Sequence, residues 1–296
     1  MQPARIETPS GKGAGDENFP VGSWLLPARL RPHVATFYAF ARAADDIADN
    51  PDLAPEDKVH RLDRFEAAVS GKVVNDPALD RAYRMRTSLV ETGVSTRHCV
   101  DLLAAFKLDA TKLRYADWAD LMGYCELSAN PVGRYLLDLH GEARSAYPAA
   151  DGLCSALQVL NHLQDVRADF ARLDRVYLPL DWLGGEGLDV TALAAPRADP
   201  ALRRVLDRCL GGIASLLATA RPLPEQLASS GLAMESGAIL RLAKRIEARL
   251  RRRDPLAERV VPSRLGFVGN AAMGALGVLA RRALGSGRRM RTARQG

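Results

Sequence analysis

Apolar side chains recur at three- and four-residue spacing through most of this sequence. Residues repeating that way share one face of an α-helix, and no other regular structure buries them together. Alternating strand patterns bounded by hairpin turns are absent. The expected fold class is therefore all-α. Helices are predicted from Pro32 to Ala48, Pro55 to Val69, Pro77 to Thr92, Thr96 to Lys107, Tyr115 to His140 and Ala149 to Arg172. Further ones are predicted from Pro200 to Leu216, Glu235 to Arg253 and Leu265 to Leu284. Prolines stand at or just before several of these starts, where a missing N–H costs little. The breaks fall at Asn50–Ala54, Gly71–Asp76, Asp109–Arg114 and Gly184–Asp199.

Neither an internal repeat nor a linker interrupts the pattern. Residues 17–284 are expected to form one helical bundle around a central cavity, between a disordered leader (1–16) and a basic flexible tail (285–296). Few aromatics and abundant Ala, Leu and Arg favour helix over sheet. Cys99, Cys125, Cys154 and Cys209 lie far apart with no histidine cluster beside them. That spacing reads as reduced thiols of a cytosolic protein, not a disulfide frame or zinc site.

The formal net charge is +6, with the basic excess gathered in Arg251–Arg253, Arg281–Arg282 and Arg288–Arg294. Such clusters attract anionic surfaces, or simply keep a protein soluble. Nucleic-acid binding is not expected, because no aromatic interleaving or reading motif accompanies the charge. The apolar run Leu265–Ala280 falls short of the ~20 residues that a membrane span needs. It reads as a terminal core helix, with a membrane-surface element as the alternative.

Two acidic clusters carry chemistry. In Arg42-Ala-Ala-Asp45-Asp46-Ile-Ala-Asp49, Asp45 and Asp49 are one helical turn apart, and Arg42 precedes Asp45 on the same stripe. Val34, Phe37, Tyr38, Ala41 and Ala44 run beside them as an apolar stripe. Carboxylates against an apolar face lose solvation and repel one another, so they call for a compensating cation. Taken alone, this cluster reads as a solvated surface patch.

The second cluster shifts the balance. Asn161, Asp165 and Asp169 stand at i, i+4 and i+8, with Leu157, Leu160 and Val166 as apolar neighbours. Two such stripes can face each other across a bundle cavity, which is how metal sites are built in helical bundles. Carboxylates with an amide suit several Mg²⁺ ions, which favour carboxylate and phosphate oxygens. A magnesium–diphosphate site is the reading that explains both stripes.

Phe37-Tyr-Ala-Phe-Ala-Arg42 through Asp49 resembles the first aspartate-rich motif of the squalene/phytoene synthase family. Gln158 through Asp169, followed by Arg175-Val-Tyr177-Leu-Pro179, is similar to the second. Leu25-Leu26-Pro27, Tyr124-Cys125 and Val132-Gly133 fall where that family has similar residues, and the resemblance covers roughly 17–265. Three stretches depart from the common pattern: Glu17-Asn-Phe-Pro-Val-Gly-Ser-Trp24, Ser128-Ala-Asn130-Pro131-Val132-Gly133, and Gln164-Asp165. A late tyrosine typical of the family is also replaced near Ile239. These departures resemble the hydroxysqualene synthase branch found with hopanoid biosynthesis.

The resemblance implies an isoprenoid-synthase bundle that ionises presqualene diphosphate and captures the cation with water. It assigns Asp45, Asp49, Asn161, Asp165 and Asp169 to Mg²⁺, and Arg42, Arg175 and Tyr177 to the diphosphate. For Arg42 the alternative is an ordinary salt bridge with Asp45. Phe37, Phe40, Leu121, Val132 and Leu136 are the expected apolar wall, and Asn130 the candidate for holding the water. A nicotinamide cofactor is not expected, since Gly11-Lys-Gly-Ala-Gly15 follows no strand. The same motifs serve head-to-head condensation of two prenyl diphosphates, and a non-catalytic membrane-associated relative is a third reading. The expected location is the cytoplasm, with peripheral contact at the inner membrane face as the further option.

Overall fold

The computed structural model describes residues 25–261 and 269–282. The first half of the chain contributes α1 (Arg31–Ala48), α2 (Pro55–Val69), α3 (Asp80–Thr92), α4 (Arg97–Thr111), α5 (Trp118–Ser128) and α6 (Asn130–Leu139). The second half adds α7 (Tyr147–Gln164), α8 (Val166–Leu173), α9 (Leu180–Gly185), α10 (Pro200–Ala220), α11 (Leu223–Gln226) and α12 (Ser230–Leu250), followed by α13 (269–282). Among the described residues the sole strand-like feature is an isolated parallel bridge between Arg114 and Val176. The expected leader and basic tail lie outside the described residues, as does the Glu17–Trp24 departure.

Local chemistry explains most helix limits. Pro55 opens α2 with a free first-turn position, and the side chains of Asp117 and Asp199 accept Asp120 N–H and Leu202 N–H at 2.8 Å and 2.7 Å to cap α5 and α10. Gly93 ends α3 in the left-handed region (φ 70°), where a Cβ would be strained. Two predicted helices are each split in two. The Tyr115–His140 span breaks at Ala129 (φ −116°, ψ −47°), because Pro131 has no N–H and its ring collides with the carbonyl four residues back. The Ala149–Arg172 span breaks at Asp165 (φ −107°, ψ 10°). Helix α4 continues past Lys107 to Thr111, so the predicted break at Asp109 is in fact its last turn.

Packing brings α7 between α6, α10 and α12, while α1 sits against α2, α3 and α4. Phe37 of α1 stacks on Tyr135 of α6 with centroids 4.0 Å apart, tying the two groups together. Gly133 allows close approach of α6 to α7: a Cβ there would lie 2.7 Å from Cys154 Sγ. Helix α13 rests on α12 where Gly274 meets Gly237, and Val278 is buried there. Met273, Leu276 and Leu279 on the same helix remain exposed, so α13 is only half a core helix. Among the described residues, no helix is long and apolar enough to cross a membrane.

Candidate active site

The α1 stripe Phe37, Ala41, Asp45, Asp49 advances one turn at a time from apolar to acidic. Phe37 and Ala41 line a cavity of about 300 Å³. The α7 stripe does the same: Leu153 and Leu157 line that cavity, and Asn161, Asp165 and Asp169 follow at successive turns. The break at Asp165 leaves the acidic stripe in register, because Asp165 N–H donates to Asn161 O at 3.0 Å and Asp169 N–H to Asp165 O at 2.8 Å.

Arg175 joins the two stripes. The bridge at Val176 lays this segment beside Leu113–Tyr115, with Val176 N–H donating to Leu113 O at 2.9 Å. From there Arg175 Nη1 reaches Asp49 Oδ1 at 2.7 Å, and Nη2 donates to Asp109 O at 2.9 Å. Arg42 is already engaged within α1, at 2.8 Å from Asp45 and 2.7 Å from the buried Asp46. Behind Arg175, Tyr177 is buried in a ring stack, 3.4 Å centroid to centroid from His162 and 5.6 Å from Tyr115.

One carboxylate here escapes a motif search. Asp109 is buried in the last turn of α4 and accepts the Tyr124 hydroxyl at 2.8 Å. The available signal was its position three and four residues after Phe106 and Ala105, a charge on an otherwise apolar stripe. Tyr124, Tyr115 and His162 accompany it and have no such signal.

The electrostatics follow from crowding. Burial, and then the neighbouring Asp49, push the Asp45 carboxyl up to about 7, with Arg42 pulling the other way. Burial pushes Asp109 up to about 7 despite Arg175 and the Tyr124 hydrogen bond. Burial and then Asp165 push Asp169 up to about 7, against Arg175. Burial and the Arg175 charge depress His162 to about 3, so it is a neutral ring and no counter-ion. Carboxylates outnumber the cations that face them, which is a donor set for hard cations. Among the described residues no three His, Cys, Asp or Glu side chains already form a cage.

The cavity wall is almost wholly apolar. Among the described residues Val132 and Leu136 of α6, Leu232 and Ile239 of α12 and Leu223 of α11 also line it, with Tyr38, Glu235 and Ser236 as polar exceptions. Phe40 and Leu121, expected in this wall, are not in it. Both are fully buried, and Phe40 faces Phe65 of α2 at 5.9 Å. Asn130 is also not among the lining side chains; buried under α7, its Oδ1 accepts the Ser155 hydroxyl at 2.9 Å. Gln164 is buried too, donating to Val260 O at 2.6 Å, so the segment after α12 folds back over the α7–α8 junction. Arg259 of that segment lies 3.2 Å from Asp165.

Known proteins resemble this chain throughout. Residues 13–266 match the family described as squalene/phytoene synthase. A hydroxysqualene synthase of Rhodopseudomonas palustris is 43% identical over 282 residues, covering 95% of each chain. Another, from Sinorhizobium fredii, is 41% identical over 94% of each. A crystal structure of squalene synthase HpnC from Alicyclobacillus acidocaldarius superposes with a TM-score of 0.69 at 29% identity, covering 78% of this chain and 87% of that one.

Proposed function

Because the chain belongs to the squalene/phytoene synthase family, we propose that its site ionises presqualene diphosphate and gives hydroxysqualene and diphosphate. One observation carries this reading. On both α1 and α7, the face that lines an apolar cavity continues turn by turn into a cluster of carboxylates. A substrate matching that surface has a long hydrocarbon body and a polyanionic head that arrives with cations. The two hydroxysqualene synthases similar along nearly the whole chain support the same choice.

Asp45, Asp49, Asn161, Asp165 and Asp169 would hold Mg²⁺ with the diphosphate. Bound there, the cations supply neutralisation of the charge that builds on the leaving group. The protein's own part is positional and electrostatic. Arg175, anchored by Asp49 and by the Asp109 carbonyl, holds a fixed positive charge between the stripes. Arg42 can exchange its carboxylate partners for phosphate oxygens once cations take up Asp45. The apolar wall keeps bulk water from the cation while it rearranges. Since substrate and product are both hydrocarbon-rich, the enzyme works against the cytoplasmic face of a membrane in this reading.

The test incubates purified protein and Mg²⁺ with presqualene diphosphate, or separately with farnesyl diphosphate, and identifies the extracted products. Hydroxysqualene from the first, lost in Asp45→Ala and Asp165→Ala, is the expected result. Products from farnesyl diphosphate alone would move the protein to head-to-head condensation, and turnover of neither would make it a scaffold.

A further inference from the structure

Among the described residues that line the apolar cavity, one carboxylate is not accounted for by the acidic cluster. Glu235 lies in the second turn of α12, is 5% exposed, and lines the chamber among leucines, valines and alanines. Its helix is firmly placed. The Glu142 carboxylate accepts Ala228 N–H and Ser229 N–H, both at 2.7 Å, at the helix start. A Cβ on Gly231 would lie 2.2 Å from Leu25 O, so the chain ahead of α1 is packed against the same turn.

The other heteroatoms of the wall are poorly suited to handle a proton. The Ser236 hydroxyl donates to Leu232 O at 2.8 Å within the helix. Burial pushes the Cys154 thiol up to about 12, so it is neutral. Tyr38 is a phenol, a weak base at neutral pH. Asn130, the sequence-level candidate for holding water, is turned to Ser155 and does not line the chamber. Glu235 is the lining group whose ordinary ionised form accepts protons.

We propose that Glu235 orients the water that captures the carbocation and takes up the proton this water releases. The inference rests on the water-capture reading above. The balance is simple. The bond from carbon to the diphosphate oxygen breaks, and its electron pair leaves with diphosphate. The water oxygen donates a pair to the rearranged cation, forming the alcohol's C–O bond, while a ring carbon–carbon bond opens and its electron pair becomes the new double bond. One proton of that water passes to the Glu235 carboxylate and returns to solvent when product leaves.

The decisive experiment compares wild type, Glu235→Gln and Glu235→Leu with presqualene diphosphate and Mg²⁺ in isotopically labelled water. It measures diphosphate release and the ratio of labelled alcohol to hydrocarbons formed by proton loss. The expected result for Glu235→Leu is diphosphate release within about threefold of wild type, with the alcohol fraction down about tenfold or more. Glu235→Gln, which keeps an acceptor but not the base, should fall between the two. An unchanged alcohol fraction in both variants would overturn the proposal. So would parallel loss of alcohol and diphosphate release, which would mark Glu235 as structural. A wild-type enzyme that yields no labelled alcohol would instead sink the functional reading, and the role of Glu235 with it.

Discussion

Helix α1 has two ends with opposite chemistry on one face. At one end Phe37 and Ala41 line the chamber, and Phe37 is buried flat against Tyr135. At the other, Asp45 and Asp49 stand among Asp109 and Asp169 with Arg42 and Arg175 as the nearby cations. Helix α7 repeats the arrangement from Leu157 to Asp165. The apolar end is stabilised by contacts already made, through burial and packing. The acidic end already holds Arg42, Arg175 and Arg259 against part of its charge. Under the proposed function it gains the rest of its partners when cations and a polyanion arrive. Stability and activity should therefore separate along a single helix.

The largest expected effect tests the acidic end. Asp45→Asn should lower kcat/KM by about a thousandfold or more, the scale of losing an electrostatic stabiliser of the leaving group. Its unliganded melting temperature should be equal or higher, because a carboxylate crowded by Asp49 is gone. Steady-state kinetics and calorimetry on the same sample check both halves. A large drop in stability would collapse the distinction between the ends.

Next in size is the apolar end. Phe37→Ala should cost about 3–5 kcal/mol of unfolding free energy, the usual range for a buried aromatic that leaves a cavity. Chemical denaturation reads this directly. If activity per folded molecule fell as far as in Asp45→Asn, the two ends would not be functionally distinct.

Ligand-dependent stability sharpens the comparison further. Mg²⁺ with inorganic diphosphate should stabilise the protein by about 2–3 kcal/mol when present at a hundred times its dissociation constant. A scaffold would show no shift. The effect should be greater at pH 8 than at pH 5.5. In the folded protein Asp45, Asp109 and Asp169 titrate near 7, above the ordinary 3.8. Between those values the folded state binds more protons than the unfolded one, so these groups lower unliganded stability as pH rises through that window. His162, depressed from 6.5 to about 3, acts in the opposite direction over its own window. Above about 6.5 its opposing slope is exhausted, and the carboxylates alone continue to lower stability as pH rises to about 7. Thermal scans across pH, with and without ligand, test the sign.

The smallest effect concerns Asp109. Asp109→Asn keeps an acceptor for the Tyr124 hydroxyl and deletes one crowded charge. Its unliganded melting temperature should rise by about 2 °C, corresponding to roughly 1 kcal/mol in a chain of this size. A fall would mean that Asp109 is needed as the counter-charge of Arg175 and is not surplus.

Much of the fold was legible because helices are set by local rules. The predicted span Pro55–Val69 coincides with α2, and α1 begins one residue before its predicted start at Pro32. Pro131, which falls inside the predicted Tyr115–His140 helix, instead separates α5 from α6. The predicted break at Asp109–Arg114 begins inside the last turn of α4, which carries Asp109 inward because its neighbours on that stripe are apolar. Phe40 and Leu121 illustrate the opposite difficulty. Both lie on apolar stripes, and periodicity does not distinguish a stripe that packs against a neighbour from one that lines a void.

By itself the sequence determined which residues share a face. The registers of Asp45 with Asp49, and of Asn161 with Asp165 and Asp169, follow from 3.6 residues per turn and require no knowledge of neighbours. Only the tertiary structure decided what those faces meet: Arg175 between the stripes, Asp109 beside them, Asn130 turned to Ser155, and Glu235 in the chamber. The physical reason is range. A helical face is fixed by bonds spanning four residues, whereas the meeting of Arg175 with Asp49 depends on how separate helices pack, which no local spacing encodes.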